Sequence, residues 1–202
     1  MSLPRPLQAS FSDQRLTDAG LRARLRAGAI SAEVGDLQLD GNRLTAAGVE
    51  AVGAVAFVNL VALDLAGNRL GDAGAQALSA QTGFRHVRTL SLARNRLTAL
   101  GLTALLAEGS AVASLWGLDL SGNPLGDAGA LALAGSPRAS MLQVLNLEKI
   151  GLTDAGAMAL ATSGVLSRLR TLYVGGNALT TAGREALRAS KTLPECRIDF
   201  GE

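Results

Sequence analysis

The chain contains a single cysteine, a single histidine and two lysines among its 202 residues. Cys196 cannot form an internal disulfide or a thiolate metal cluster, which favours a reducing compartment. No periodic feature of the sequence places a nucleophile against His86, so a Ser-His-Asp arrangement is not indicated. Neither lysine completes a glycine-rich phosphate loop. We therefore predict a protein that is not an enzyme and that uses no cofactor and no metal.

The sequence also lacks any apolar run of signal-peptide or membrane-span length. We expect a cytoplasmic protein, with secretion by a system that reads no cleavable signal as the alternative. The net charge of +2 is close to balance and does not single out nucleic acid as a partner. We expect no membrane, nucleic-acid or small-molecule partner. All basic residues except Lys149 and Lys191 are arginine, which hints at a GC-rich bacterial genome.

What the sequence does contain is one unit that recurs along nearly its whole length. Its copies are aligned on an anchor position, usually asparagine, and successive anchors are about 27 residues apart. Apolar residues lie eight, five and three positions before most anchors, and a leucine lies two positions after each. The anchors are Gln14, Asn42, Asn68, Asn95, Asn123, Ile150 and Asn177. A fixed period of this length predicts a stacked repeat architecture.

Each unit combines a strand pattern with a helix pattern. The L-x-L segment before the anchor alternates, so its leucines face a core and the intervening residues face the opposite side. The alanine- and leucine-rich stretch that follows, such as residues 72–80, predicts a helix with a capped start. We predict an α/β solenoid of about seven repeats, from about residue 6 to 190, with a terminal capping strand over 193–200. Residues 1–202 then form one domain.

The frame L-x-x-L-x-L-x-x-N-x-L resembles the leucine-rich repeat, and with helical G-A-x-A-L it is similar to the ribonuclease-inhibitor-like class. Residues 74–79, 129–134 and 156–161 also resemble the GAxALA motif of the GALA-type effector proteins of plant-pathogenic bacteria. The resemblance implies a curved horseshoe with a parallel sheet on the concave face and helices on the convex face. It also implies a ladder in which anchor asparagines bond the turn backbone, here Asn42, Asn68, Asn95, Asn123 and Asn177. Ile150 interrupts that ladder, and we expect an altered turn there.

The concave face is the predicted site of action, because a solenoid of this type presents an extended strand surface to its partners. We predict a non-catalytic module that binds a protein partner there as a monomer. Tyr173 and Trp116 are the aromatic candidates, because interface hot spots favour these residue types. The remaining candidates on this face are Asp119, Asn146 and Glu148 in the second half of the chain and Asp40 and Asp64, beside Asp36, in the first half.

A basic rim is the second candidate surface. Arginine follows the anchor in four successive repeats, at Arg15, Arg43, Arg69 and Arg96. We expect these side chains to pair with Asp18, Asp72 or backbone carbonyls, with Arg69 and Arg96 as alternative partner-binding residues. Two further functions stay open: regulation of a GTPase, by resemblance to Ran GTPase-activating protein, and a bacterial effector or scaffold subunit.

Two expectations concern the last strand. Arg197 is expected to extend the concave row that contains Ser10, Asp64 and Tyr173. Cys196 is expected to occupy a core leucine position, as a small buried apolar residue.

The leucine frame predicts a stability effect. Replacing Leu92 or Leu120 by Ala should lower the free energy of unfolding by about 2 to 5 kcal/mol, because a truncated core leucine leaves a cavity. Urea denaturation measures the difference. A loss below about 0.5 kcal/mol, the range of ordinary surface changes, would place these leucines outside the core.

Overall fold

The protein is described by a computed structural model that covers residues 7–112 and 114–201. Within these residues strands and helices alternate, and each strand pairs in parallel with the next one along the chain. The strands are β1 Leu7–Ser10, β2 Val34–Gln38, β3 Ala62–Asp64, β4 Thr89–Ser91, β5 Gly117–Asp119, β6 Val144–Asn146, β7 Thr171–Tyr173 and β8 Arg197–Asp199. The helices are α1 Asp18–Arg26, α2 Ala46–Gly53, α3 Gly71–Ala80, α4 Ala99–Leu105, α5 Gly126–Gly135, α6 Asp154–Ala161 and α7 Thr181–Arg188.

This architecture confirms the predicted solenoid of strand–helix units. The core lies between the sheet and the helices, and the middle residue of nearly every strand points into it. In register these middle residues are Ala9, Leu37, Leu63, Leu90, Leu118, Leu145, Leu172 and Ile198. Leu92 and Leu120 are fully buried, at 0% exposure. The sheet face that the helices leave open is called the concave face below.

The anchor asparagines join neighbouring repeats through their side-chain amides. Asn123 is 1% exposed, and its Nδ2 donates to the carbonyls of Leu92 and Leu120, both at 2.9 Å. Its Oδ1 accepts the N–H groups of Asn95 at 2.9 Å and Leu97 at 3.0 Å. One side chain therefore satisfies backbone groups in two successive turns, which removes the cost of burying an amide in an apolar stack.

Ile150 changes this pattern without changing the shape of the turn. The residue before it, Lys149, has φ 53°, matching the left-handed residue before other anchors, such as Gly122 at φ 67°. Ile150 is 1% exposed and packs in the core. Ile150 offers no side-chain amide to the backbone of the preceding turn. There the N–H of Leu125 donates instead to the carbonyl of Asn123, two residues earlier, at 2.8 Å. The predicted altered turn is therefore an alteration of hydrogen bonding only.

A second ladder links the starts of the helices. In four repeats an Asp in the first helical turn accepts both the N–H and the Oγ1–H of the N-cap threonine of the next repeat. For Asp72 and Thr98 both distances are 2.8 Å. The other pairs are Asp18–Thr45, Asp127–Thr153 and Asp154–Thr180. Hydrogen bonds from Thr180 hold the pKa of Asp154 below its ordinary value. The starts of α2, α4, α6 and α7 are thus capped by a threonine that is also bonded to the preceding repeat. Helices α3 and α5 begin after Leu70 and Leu125 without a side-chain cap, so the capped start predicted for residues 72–80 is wrong.

Serine hydroxyls link the helix ends in the later repeats. Ser163 donates to the carbonyl of Ala134 at 2.7 Å, and Ser136 donates to that of Leu106 at 3.4 Å. Ser110 is different, because its hydroxyl is buried without any hydrogen-bond partner among the described residues.

The two ends of the solenoid cover their terminal aromatic residues with arginine. Arg24 lies over Phe11, with 5.6 Å to the ring centroid. Arg184 and Arg188 lie over Phe200 at 5.2 and 4.7 Å. Guanidinium groups pack on aromatic faces while keeping their charge in solvent. In the described part of the chain, no helix has the length and apolar character needed to cross a membrane.

The contrast between Asn123 and Ser110 gives a paired prediction. Asn123→Ala should lower the free energy of unfolding by about 3 kcal/mol, because it leaves backbone groups that have no other hydrogen-bond partner among the described residues. Ser110→Ala should change it by less than about 0.5 kcal/mol or raise it, because no hydrogen bond is lost. Urea denaturation of both variants checks this. Equal losses would contradict the assignment of the amide ladder.

Candidate interaction surface

The strand register arranges the concave residues in three rows. The entry row consists of Gln8, Asp36, Ala62, Thr89, Gly117, Val144, Thr171 and Arg197. The middle row consists of Ser10, Gln38, Asp64, Ser91, Asp119, Asn146, Tyr173 and Asp199. Just beyond the strands, the exit row consists of Ser12, Asp40, Ala66, Ala93, Ser121, Glu148 and Gly175.

Two expectations about the last strand are wrong. Asp199, and not Arg197, continues the middle row beside Tyr173, and Arg197 lies in the entry row. Cys196 precedes the strand and is half-buried, while Ile198 takes the core position. The terminal strand covers Arg197–Asp199 alone. The register follows the spacing of the other repeats: Asp199 comes 26 positions after Tyr173, whereas Arg197 comes 24 positions after it.

A cavity of about 430 Å³ lies at the centre of the concave face. Its floor is low because Ala62 and Gly117 occupy the entry row, and a Cβ on Gly117 would stand 3.1 Å from Cγ2 of Thr89. Trp116 comes directly before β5 and stays 42% exposed. The wall residues are Asp36, Gln38, Asp64, Ser91, Trp116, Asp119, Val144, Asn146 and Tyr173.

The structure thus brings five of the predicted partner-binding residues to one cavity: Trp116, Asp119, Asn146, Tyr173 and Asp64. Four others lie outside its lining: Asp40 and Glu148 in the exit row, and Arg69 and Arg96 on the rim. Sequence reasoning did not anticipate the cavity itself. The signal was present in the small entry-row residues of β3 and β5, but the depth of a groove depends on the packing of several neighbouring side chains.

The polar side chains of the middle row are held in one orientation. The Oδ1 atoms of Asp64 and Asp119 accept the N–H groups of Ala66 and Ser121, both at 2.9 Å. Asn146 accepts the N–H of Glu148 in the same way at 3.0 Å. These bonds fix each side chain at the end of its strand. Oδ2 of Asp119 has no hydrogen-bond partner among the residues that the structure describes.

Asp64 shows the electrostatic consequence of this arrangement. Burial raises its pKa above the ordinary value, and the nearby carboxylates of Asp40 and Asp119 raise it further against the bonds from Ala66 and Ser91. Burial also raises the pKa of Asp36. Like charges that share a half-buried surface oppose each other's ionisation.

The three rows carry six carboxylates and one cation. The carboxylates are Asp36, Asp40, Asp64, Asp119, Glu148 and Asp199, and the cation is Arg197. The formal charge of these rows is therefore −5, although the whole chain carries +2. Charge is segregated on this molecule, and the concave face is its acidic surface.

The arginine rim does not pair as expected. Arg15, Arg43, Arg69 and Arg96 are all exposed. Their side chains make no hydrogen bond or salt bridge with any residue of the described ranges. Asp18 and Asp72 are occupied by Thr45 and Thr98 instead, so the predicted pairing is wrong. The capping threonines lie next to these carboxylates and bind them with both N–H and hydroxyl.

The residues with catalytic potential are dispersed. His86 is half-buried and its Nε2 accepts the Nε–H of Arg85 at 3.1 Å. Burial raises the pKa of the Cys196 thiol to about 11, which disfavours the reactive thiolate at neutral pH. No cluster of three His, Cys, Asp or Glu within 7–112 and 114–201 is arranged to hold a metal ion.

Comparison with known proteins identifies this architecture as the leucine-rich repeat fold. The family model described as Leucine Rich repeat matches residues 58–79, 85–106, 118–134 and 138–161. Internalin C2 from Listeria monocytogenes is a structure similar to the chain, with a TM-score of 0.61 and 22% identity, over 95% of this chain and 69% of that one. Human 5T4, the Wnt-activated inhibitory factor 1, is similar with a TM-score of 0.59 and 22% identity, over 96% and 76%. No curated protein sequence matches the chain.

The raised pKa of Asp64 gives a pH-dependent prediction. An acid whose pKa is higher in the folded than in the unfolded state destabilises the fold once it is ionised. Asp64→Asn should therefore raise the free energy of unfolding at pH 7, and Asn146 shows that an amide suits this position. The gain should shrink as the pH falls from the raised folded-state pKa towards the ordinary value near 3.8.

Denaturant titrations between pH 3 and 7 measure this gain, and Glu50→Gln on the exposed side of α2 is the charge-matched control. A variant less stable than the parent at pH 7 would contradict the electrostatic account.

Proposed function

We propose that this protein is a non-catalytic module that binds a segment of another protein in the cavity of its concave face. The observation that carries the proposal is the convergence of Trp116, Tyr173 and fixed polar side chains on one open cavity. Tryptophan and tyrosine are among the residue types that most often dominate binding energy at interfaces. The chain has one of each, and both line this cavity.

The dimensions and polarity of the cavity support this function. A volume of about 430 Å³ is in the range of sites that hold a small ligand or a few side chains. Its apolar elements, such as Val144 and Trp116, share the lining with the polar middle-row residues Ser91, Asp119 and Asn146. An apolar centre with a polar surround is the usual composition of a protein interface. Leucine-rich repeat proteins commonly mediate protein–protein interactions, which agrees with this use of the face.

Finer assignments belong to the same proposal. The GAxALA-like segments at 74–79, 129–134 and 156–161 support a place among ribonuclease-inhibitor-like repeats, with the GALA-type bacterial effectors as the nearest functional model. On this proposal the protein acts as a bacterial, cytoplasmic monomer without cofactor, or as an effector secreted without a cleavable signal.

One observation favours a second candidate function, regulation of a GTPase. The four rim arginines are exposed and have no partner among the described residues, so each is available to stabilise a negatively charged group on another protein. The test is the GTP hydrolysis rate of purified GTPases with and without this protein. Acceleration that is lost in Arg69→Ala or Arg96→Ala would support this candidate, and an unchanged rate across the candidate GTPases would exclude it.

The proposal predicts which substitutions weaken partner binding and which do not. Once a partner has been captured and purified, Tyr173→Ala and Asp119→Ala should each weaken its affinity by about 1 kcal/mol or more, about fivefold, because both side chains border the cavity. Arg69→Ala should change the affinity by less than about 0.5 kcal/mol. Isothermal titration calorimetry measures all three. The reverse result, a loss with Arg69→Ala alone, would move the binding site to the basic rim.

A further inference from the structure

We propose that the segment bound in the concave cavity is cationic, with an arginine or lysine side chain seated between Asp64 and Asp119 against the indole of Trp116. This inference rests on the proposed function and adds the chemical class of the partner. It predicts that a basic peptide segment is preferred over neutral and acidic segments of the same length.

Charge complementarity is the first argument. The cavity wall contains Asp36, Asp64 and Asp119, and no lysine or arginine is among the lining residues. The nearest opposite charge in the three rows is Arg197, at the far edge of the sheet and 79% exposed at its side chain. Burial raises the pKa of Asp64, and the carboxylates of Asp40 and Asp119 raise it further. A bound cation would relieve the repulsion, whereas an anion would increase it.

The geometry of the two carboxylates is the second argument. Asp64 and Asp119 are separated by Ser91 on the intervening strand, which places them about 10 Å apart at two strand spacings. Each is oriented by a backbone N–H that donates to Oδ1. Oδ2 of Asp119 has no partner within 7–112 and 114–201 and can accept a bond from a ligand. A planar guanidinium centred over Ser91 is within reach of both carboxylates, and charge-assisted bonds of this type are the strong ones.

The exposed indole is the third argument. Trp116 is 42% exposed on the cavity wall, and cations bind favourably on the face of an indole. Arg88 occupies the equivalent position before the preceding strand, but its Nη1 donates to the carbonyls of Val87 and Arg85 at 3.1 and 3.4 Å. The guanidinium of Arg88 therefore does not occupy the position of the proposed cation.

The single tryptophan makes the test direct. Three capped hexapeptides that carry two arginine, two glutamine or two glutamate residues on the same leucine- and alanine-containing backbone are titrated into the full chain at low salt. Emission of Trp116 reports occupation of the cavity, and calorimetry gives the Kd. We expect the arginine peptide to bind at least tenfold more tightly than the glutamate peptide, and its affinity to fall as salt is added.

The variants distinguish the cationic assignment from the underlying proposal that binding takes place on the concave face. Asp64→Asn with Asp119→Asn should weaken binding of the arginine peptide about tenfold, while Glu50→Gln on α2 should leave it unchanged. If the glutamine or glutamate peptide binds as tightly as the arginine peptide and shifts Trp116 emission, the cationic assignment is overturned and concave binding stands. If no peptide shifts the emission, the cationic assignment also fails. If binding responds to Arg69→Ala and not to the double variant, the concave site itself is wrong.

Discussion

The hydrogen bonds of the anchor asparagines are the constraint on which the other features depend. A strand of three residues is too short to hold its register through strand pairing alone, and each repeat must align with two neighbours. The amide of Asn123 binds carbonyls of its own turn and of the preceding turn, and accepts N–H groups from that preceding turn. Because a buried amide tolerates no unmet bond, these contacts permit one alignment. On the helix side, the Asp–Thr pairs likewise join neighbouring repeats through hydrogen bonds.

Because the repeats are held in one alignment, the position of a residue within its repeat determines where it lies on the surface. Every residue six, four or two positions before an anchor reaches the concave face at a defined row, so the identity of these residues decides the charge and shape of that face. Small residues at Ala62 and Gly117 open the cavity, and the carboxylates of Asp64 and Asp119 are placed beside it. The leucines and asparagines thus hold the fold, while the intervening positions set the chemistry of the concave face.

The repeat period predicts the stacked architecture, the order of the elements and the core leucines, because each repeat supplies the same local signal. The ladder of asparagines follows from the resemblance to leucine-rich repeats. The last strand is the part of the chain that the sequence predicts wrongly, because no anchor follows Asn177 to align it. The 26 positions from Tyr173 to Asp199 match the repeat spacing, whereas the 24 positions to Arg197 do not. The arginine rim was misjudged for another reason. Proximity in the sequence suggests Asp18 and Asp72 as partners of the rim arginines. Each carboxylate instead accepts hydrogen bonds from a threonine of the next repeat, a contact that sequence proximity does not indicate. The cavity likewise depends on packing between neighbouring strands.

The central claim is that the register of the repeats creates an acidic concave groove around Trp116. Collisional quenching of the single tryptophan by charged ions measures the sign of the potential there, without any partner. At low ionic strength, caesium should quench Trp116 more efficiently relative to iodide than it quenches N-acetyltryptophanamide, because the surrounding carboxylates attract cations and repel anions. A ratio shifted towards iodide would show that the groove is not acidic at the indole and would contradict the account.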